Sequence, residues 1–154
     1  MEHRARSLIL ELTENALIEA DGPLILELLH AMGEHVAIDD FGTGHSSLVY
    51  LQRLPIDEIK VDRAFVLNLA SVPSDAVIVR STIDLAHNLG LTVVAEGVED
   101  DVALGLLIDY GCDSVQGHLF SPPLAAPELT SWLSESTVGA KGYHAETTEP
   151  YTVR

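Results

Sequence analysis

The stretch "AIDDFGTG", residues 37–44, carries an apolar run into two adjacent aspartates and straight on into a glycine-containing turn. That is how a buried strand reads when it ends at a polar rim. Neighbouring carboxylates repel, and one of them takes up a proton unless a cation or another partner compensates. Asp39 and Asp40 therefore suit a metal site, a phosphorylation site or a plain polar turn. The choice depends on what the rest of the chain brings near them.

The same pattern recurs on both sides. "SLILEL", "HVAID", "DEIKVD", "LTVVAE" and "DSVQGHLF" are short apolar runs. They begin roughly 20 to 35 residues apart, about one strand plus a crossover helix. Between them lie helix-like segments. "PLILELLHAMGEH" opens on Pro23, suited to a first turn, and "SSLVYLQRL" is shorter. "SDAVIVRSTIDLAHNLG" has a cap at Ser74 or Asp75 and stops at Gly90, "DDVALGLLIDYG" stops at Gly111, and "APELTSWL" follows. Strands alternating with helices specify an α/β fold with a parallel sheet, either open and doubly wound or closed into a barrel. From Ser134 onward, "SESTVGAKGYHAETTEPYTVR" is polar and aperiodic, which reads as a flexible tail over 134–154.

At 154 residues the chain is one domain's worth, with 47% apolar residues, enough for a sizeable core. Its formal net charge of -16 disfavours both a nucleic-acid polymer and a polybasic membrane contact. A small anionic ligand stays open, because a bound divalent cation reverses the local field. A single cysteine, Cys112, leaves no intramolecular disulfide and no CxxC metal pattern. The acid-broken start "LILELTENALIEA" is a poor signal peptide, and no stretch has the length of a membrane span, so a cytoplasmic protein is expected.

Each strand-like run carries its unusual polar residues at or near its C-terminal end: Glu11 and then Glu14, Asp39 with Asp40, Asp62 after Lys60, and Glu96 with Glu99 beyond it; the fifth contains Gln116. In parallel α/β folds these ends converge on one face, where ligands bind. Glu11, Asp39, Asp40 and Glu96 around Lys60 would suit hard cations such as Mg²⁺ or Mn²⁺. Two such ions generate hydroxide and clamp a phosphoryl displacement. A lone acid at a strand end is more often a solvated turn or a helix cap, and repetition over four units is what favours the metal. The seven histidines show no ligand spacing. A phosphoacceptor receiver domain would also fit the length, but its acid pair follows the first strand and its lysine the fifth. Here the pair follows the second and Lys60 lies on the third.

The segments "ELTEN", "IDDFGTGHSSLVYLQRLPIDEIKVDRAFV", "VVAEGVE" and "SVQGHLFSPPL" together resemble the second part of the EAL domain, the bacterial cyclic di-GMP phosphodiesterase family. The likeness runs from about Leu8 to Leu133 and marks 1–133 as a partial EAL domain. It implies a modified TIM (β/α)8 barrel and hydrolysis of cyclic di-GMP to linear pGpG with Mg²⁺ or Mn²⁺. By this resemblance Glu11 and Asp39 are metal ligands and Asp40 is the second-metal or bridging acid. Lys60 orders the attacking water, and Glu96 is the acid associated with it. Gln116 lies near the site, Glu14 and Glu99 support it, and Gly42 and Gly44 give the "DFGTGHSS" loop its backbone angles.

His45 and His118 stand where the family usually has tyrosine. A larger departure is the absence of the EAL tripeptide and of the "NxS" strand after it. The chain then holds about five of eight βα units and lacks a glutamate and an asparagine metal ligand and a substrate-binding arginine. Two barrel edges would be open, so marginal stability, self-association or closure by a protein partner is expected, with very weak or no activity in the isolated chain. The alternatives are a piece of a true phosphodiesterase, a degenerate module that binds protein partners, and a metal- or nucleotide-binding protein without turnover.

Overall fold

Five of the apolar runs form the main strands: β1 (Ile9–Thr13), β2 (His35–Phe41), β3 (Glu58–Val61), β4 (Thr92–Glu96) and β5 (Ser114–Gln116). The structure, a computed structural model, describes residues 9–13, 22–42, 48–135 and 152–153. All five strands are parallel and hydrogen-bonded in chain order. That order separates the two architectures left open by periodicity. A doubly wound sheet reverses its strand order at a switch point, whereas this sheet winds one way, as a barrel wall does.

The helices are α1 (Gly22–Ala31), α2 (Leu48–Arg53), α3 (Arg63–Val66), α4 (Pro73–Asn88), α5 (Asp101–Asp109) and α6 (Ala126–Glu135). α4 starts one residue before the expected cap, because Pro73 takes the first turn and Val72 makes no side-chain cap bond. α5 is capped by Asp100, whose carboxylate accepts the Ala103 N–H at 2.8 Å. The one-turn α3 has no counterpart in the sequence reading; Asp62 initiates it by accepting the Ala64 N–H.

Strand parity sorts the side chains. Val36, Ile38, Ile59, Val61, Val93, Ala95 and Val115 join Leu26, Val79, Ile83 and Leu107 in the core beneath the helices. The alternate residues face the barrel's inner side, where Ala37 and Val94 are buried beside the polar Glu58, Lys60 and Ser114. Burial on both faces is why the strands read as nearly unbroken apolar runs.

At the N-terminal ends, aspartates fix the register. Asp57 accepts the Val36 N–H at 2.9 Å, and Asp113 accepts the Val93 N–H at 2.8 Å while also bonding His87 Nε2 at 2.8 Å. The Asp57 carbonyl further accepts the Thr92 N–H at 3.0 Å.

α6 runs to Glu135, two residues past the expected boundary at Leu133. Thr152–Val153 form a short strand, β6, parallel to β5. The other residues read as a tail lie outside the described residues.

Ile59 is fully buried, whereas Val77 on α4 is exposed. Ile59→Ala is therefore expected to lower the unfolding free energy by about 2–5 kcal/mol. Val77→Ala should shift it by less than about 0.5 kcal/mol, both read from urea melts.

Candidate active site

The same parity that builds the core delivers the acids to one place. With Leu12, Ile38, Ile59, Ala95 and Val115 committed to the helix side, Glu11, Asp39, Lys60, Glu96 and Gln116 fall on the inner side. They sit near the C-terminal ends of β1 to β5, the end at which parallel α/β folds bind ligands.

Lys60 is the hub. Only 5% of the residue is exposed, and its Nζ lies 2.6 Å from Glu96 Oε1, 2.8 Å from Glu11 Oε1 and 3.6 Å from Asp39 Oδ1. Burial by itself would lower the pKa of this ammonium. Hydrogen bonds to Glu11 and Glu96, with the charges of Glu96 and Asp39, outweigh that and hold it above the ordinary lysine value. One positive charge thus faces three carboxylates drawn from three different strands.

The aspartate pair is held by a bulge. Between Ile38 and Phe41 β2 advances three residues while β3 advances two, from Ile59 to Val61. The extra residue breaks the strict alternation of faces. Asp40 has φ 55°, the positive-φ non-glycine residue among those described, and aspartate is one of the few side chains that tolerate this. Its N–H donates to Asp39 Oδ1 at 3.0 Å. A hydrogen bond with Asp62 raises the Asp40 pKa most, followed by burial and the charges of Asp39, Asp62 and Glu96. Gly42, at φ 98°, turns the chain away with the Phe65 ring 3.2 Å from where a Cβ would stand.

Glu96, Glu99 and Gln116 also line a cavity of about 760 Å³, shared with Arg63, His118, Phe120 and Trp132. Arg63 approaches Glu99 at 3.9 Å. The loops after β4 and β5 are stitched together by Val98 N–H to the Gln116 carbonyl, 3.1 Å, and Leu119 N–H to the Val98 carbonyl, 3.0 Å. Gly117 permits this, since an added Cβ would lie 2.1 Å from the Val98 oxygen. Glu14, Gly44 and His45 lie outside the described residues.

Sequence reasoning assigned no role to Asp62, Arg63 or Gly117. The order Asp-Arg-Ala-Phe-Val after a strand was a readable helix start for Asp62. Nothing local announced the approach of Gly117 to Val98.

The donors are all carboxylate oxygens with a surplus of negative charge around one ammonium, which is the chemistry of a hard divalent cation. Among the described residues, no three acidic, histidine or cysteine side chains stand close enough together to chelate a single ion. The cluster fits part of a cradle.

Comparison with known proteins gives this half-site its class. The chain belongs to the EAL domain family, whose model matches residues 2–123. Over 124 residues, 79% of this chain, it is 50% identical to the bifunctional diguanylate cyclase/cyclic di-GMP phosphodiesterase MucR of Pseudomonas aeruginosa, covering 18% of that protein. Over 127 residues it is 47% identical to the cyclic di-GMP phosphodiesterase NbdA of the same organism, covering 80% of this chain and 16% of that one. The MucR phosphodiesterase in complex with c-di-GMP superposes at TM-score 0.75 with 49% identity, over 79% of this chain and 50% of that chain. The manganese/cyclic di-GMP complex of Klebsiella pneumoniae BlrP1 gives TM-score 0.72 and 37% identity, over 79% and 31%. The chain thus spans about half of the MucR phosphodiesterase structure and about a fifth of its curated relatives. Its architecture is the EAL TIM barrel in part, as the sequence implied. Among the described residues, no helix is long and apolar enough to cross a membrane.

Asp40 crowds Asp39, Asp62 and Glu96. Because its pKa is raised on folding, its ionised form costs stability above the folded value, and that cost is absent below the ordinary 3.8. Asp40→Asn, in chelator, is expected to raise the urea midpoint at pH 7, with the gain fading as pH falls to about 4. Parallel melts of the two chains across that range check it.

Proposed function

We propose that this chain is the C-terminal portion of a metal-dependent cyclic di-GMP phosphodiesterase that opens the cyclic dinucleotide to linear pGpG, and that alone it turns over very slowly or not at all. The convergence of Lys60 with Glu11, Asp39 and Glu96 on one rim carries the reading. Family membership and the names of MucR and NbdA support it.

In this reading Glu11 and Asp39 would be ligands of one Mg²⁺ or Mn²⁺ and Asp40 the second-metal or bridging acid; these residues would make only part of the coordination shell. The ion, when bound, lowers the pKa of coordinated water and offsets phosphate charge. Glu96 orients the attacking water and takes its proton as the new P–O bond forms. Lys60 stabilises the charge that develops on the phosphate as the bond to the leaving ribose oxygen breaks; that oxygen takes a proton from solvent water and leaves as a hydroxyl, and Glu96 returns its proton to solvent. Gln116 would face the substrate in the cavity that Glu99 also lines. Glu14, Gly42 and Gly44 shape the loop after β2. The protein would act in the cytoplasm.

A second reading, a partner-binding module without turnover, is favoured by the exposure of Leu24, Ile25, Leu28 and Met32 on and just after α1. They lie on and just after a helix that packs against β2, and a second copy or a partner would cover them.

A graft separates the two. Residues 8–133 replace the matching segment of the MucR phosphodiesterase domain, and cyclic di-GMP hydrolysis is followed with Mn²⁺ and Mg²⁺. The graft is expected to release pGpG, and Lys60→Ala or Glu96→Gln within it to lower kcat about a hundredfold to a thousandfold. A folded graft without turnover would reject the catalytic reading, and full turnover by the isolated chain would reject its incompleteness.

A further inference from the structure

We infer that Thr152–Val153 are an edge cap, a short strand that occupies the free edge of β5 and keeps it from pairing with other chains. β6 lies parallel to β5, with Thr152 opposite Ser114 and Val153 opposite Val115. Among the described residues β6 is the strand on the outer side of β5, and without it the backbone groups there would be a template for association.

Burial differs between the two outer main strands. Ser114 and Val115, the residues paired with β6, are 4% and 2% exposed. Gln116, one step beyond the reach of β6, is exposed. β1, at the far side of the sheet with β2 as its partner, has no buried residue along Ile9–Thr13. A β-branched pair such as Thr-Val is well suited to an added strand.

The cap holds the position that the next strand of a closed barrel would take. The two are mutually exclusive, so completion of the barrel must displace β6. A two-residue pairing is weak enough for that, because it offers few ladder hydrogen bonds and little area. The cap therefore shields the edge without locking it.

The test compares hydrogen exchange and solution mass in the full chain and in a chain lacking residues 151–154. Deletion is expected to speed exchange of the 113–117 peptide about tenfold or more and to shift the mass from monomer toward dimers, while β3, Glu58–Val61, keeps its protection. Unchanged exchange at 113–117 overturns the inference. If deletion loosens β3 as well, Val153→Pro in the full chain decides, since proline cannot donate to the ladder. Loss confined to 113–117 then supports the cap, and native protection refutes it. Neither readout involves cyclic di-GMP, so failure here leaves the proposed catalytic reading intact.

Discussion

One buried ammonium holds the functional rim together. Lys60 projects from the middle of the sheet and binds carboxylates from β1, β2 and β4, so three strand ends converge on a single side chain. Such an arrangement contributes little net stability, since desolvation offsets the attraction, but it is costly to disrupt from one side. What it confers is position: the carboxylates are held at one rim by a charge that no neutral residue could replace. The acids exceed the lysine in number, and the strain of that excess falls on Asp40, which resorts to sharing a hydrogen bond with Asp62.

The bulge at Asp39 and Asp40 explains how two acids stand side by side at a strand end. In a regular strand they would point to opposite faces, and one carboxylate would enter the core beneath the helices. The extra residue and the left-handed turn at Asp40 prevent that. Stability is given up locally for a dense patch of charge, a common signature of sites built for a cation or a phosphate.

Much of this was legible in the sequence because it depends on period and position. The five strands, the polar residues at their ends and the gathering of Glu11, Asp39, Glu96 and Lys60 all follow from strand parity in a parallel fold. The remainder depends on contacts between distant segments. The register slip beside Asp40 is a relation between β2 and β3, and the need for glycine at 117 arises from the Val98 backbone. β6 could not be read at all, since two residues show no period.

The aspartates at the opposite rim bear on how such a partial barrel keeps its shape. Asp57 reaches back 21 residues to Val36, and Asp113 reaches back 20 to Val93. β3 is thus aligned on β2, and β5 on β4, by a contact that closes a short loop, and loops of that length close quickly and at modest entropic cost. Alignment is settled between adjacent units and needs no message from across the barrel. Within each of these two pairs, register is set by a neighbour about 20 residues away, so it does not depend on how the more distant strands are arranged.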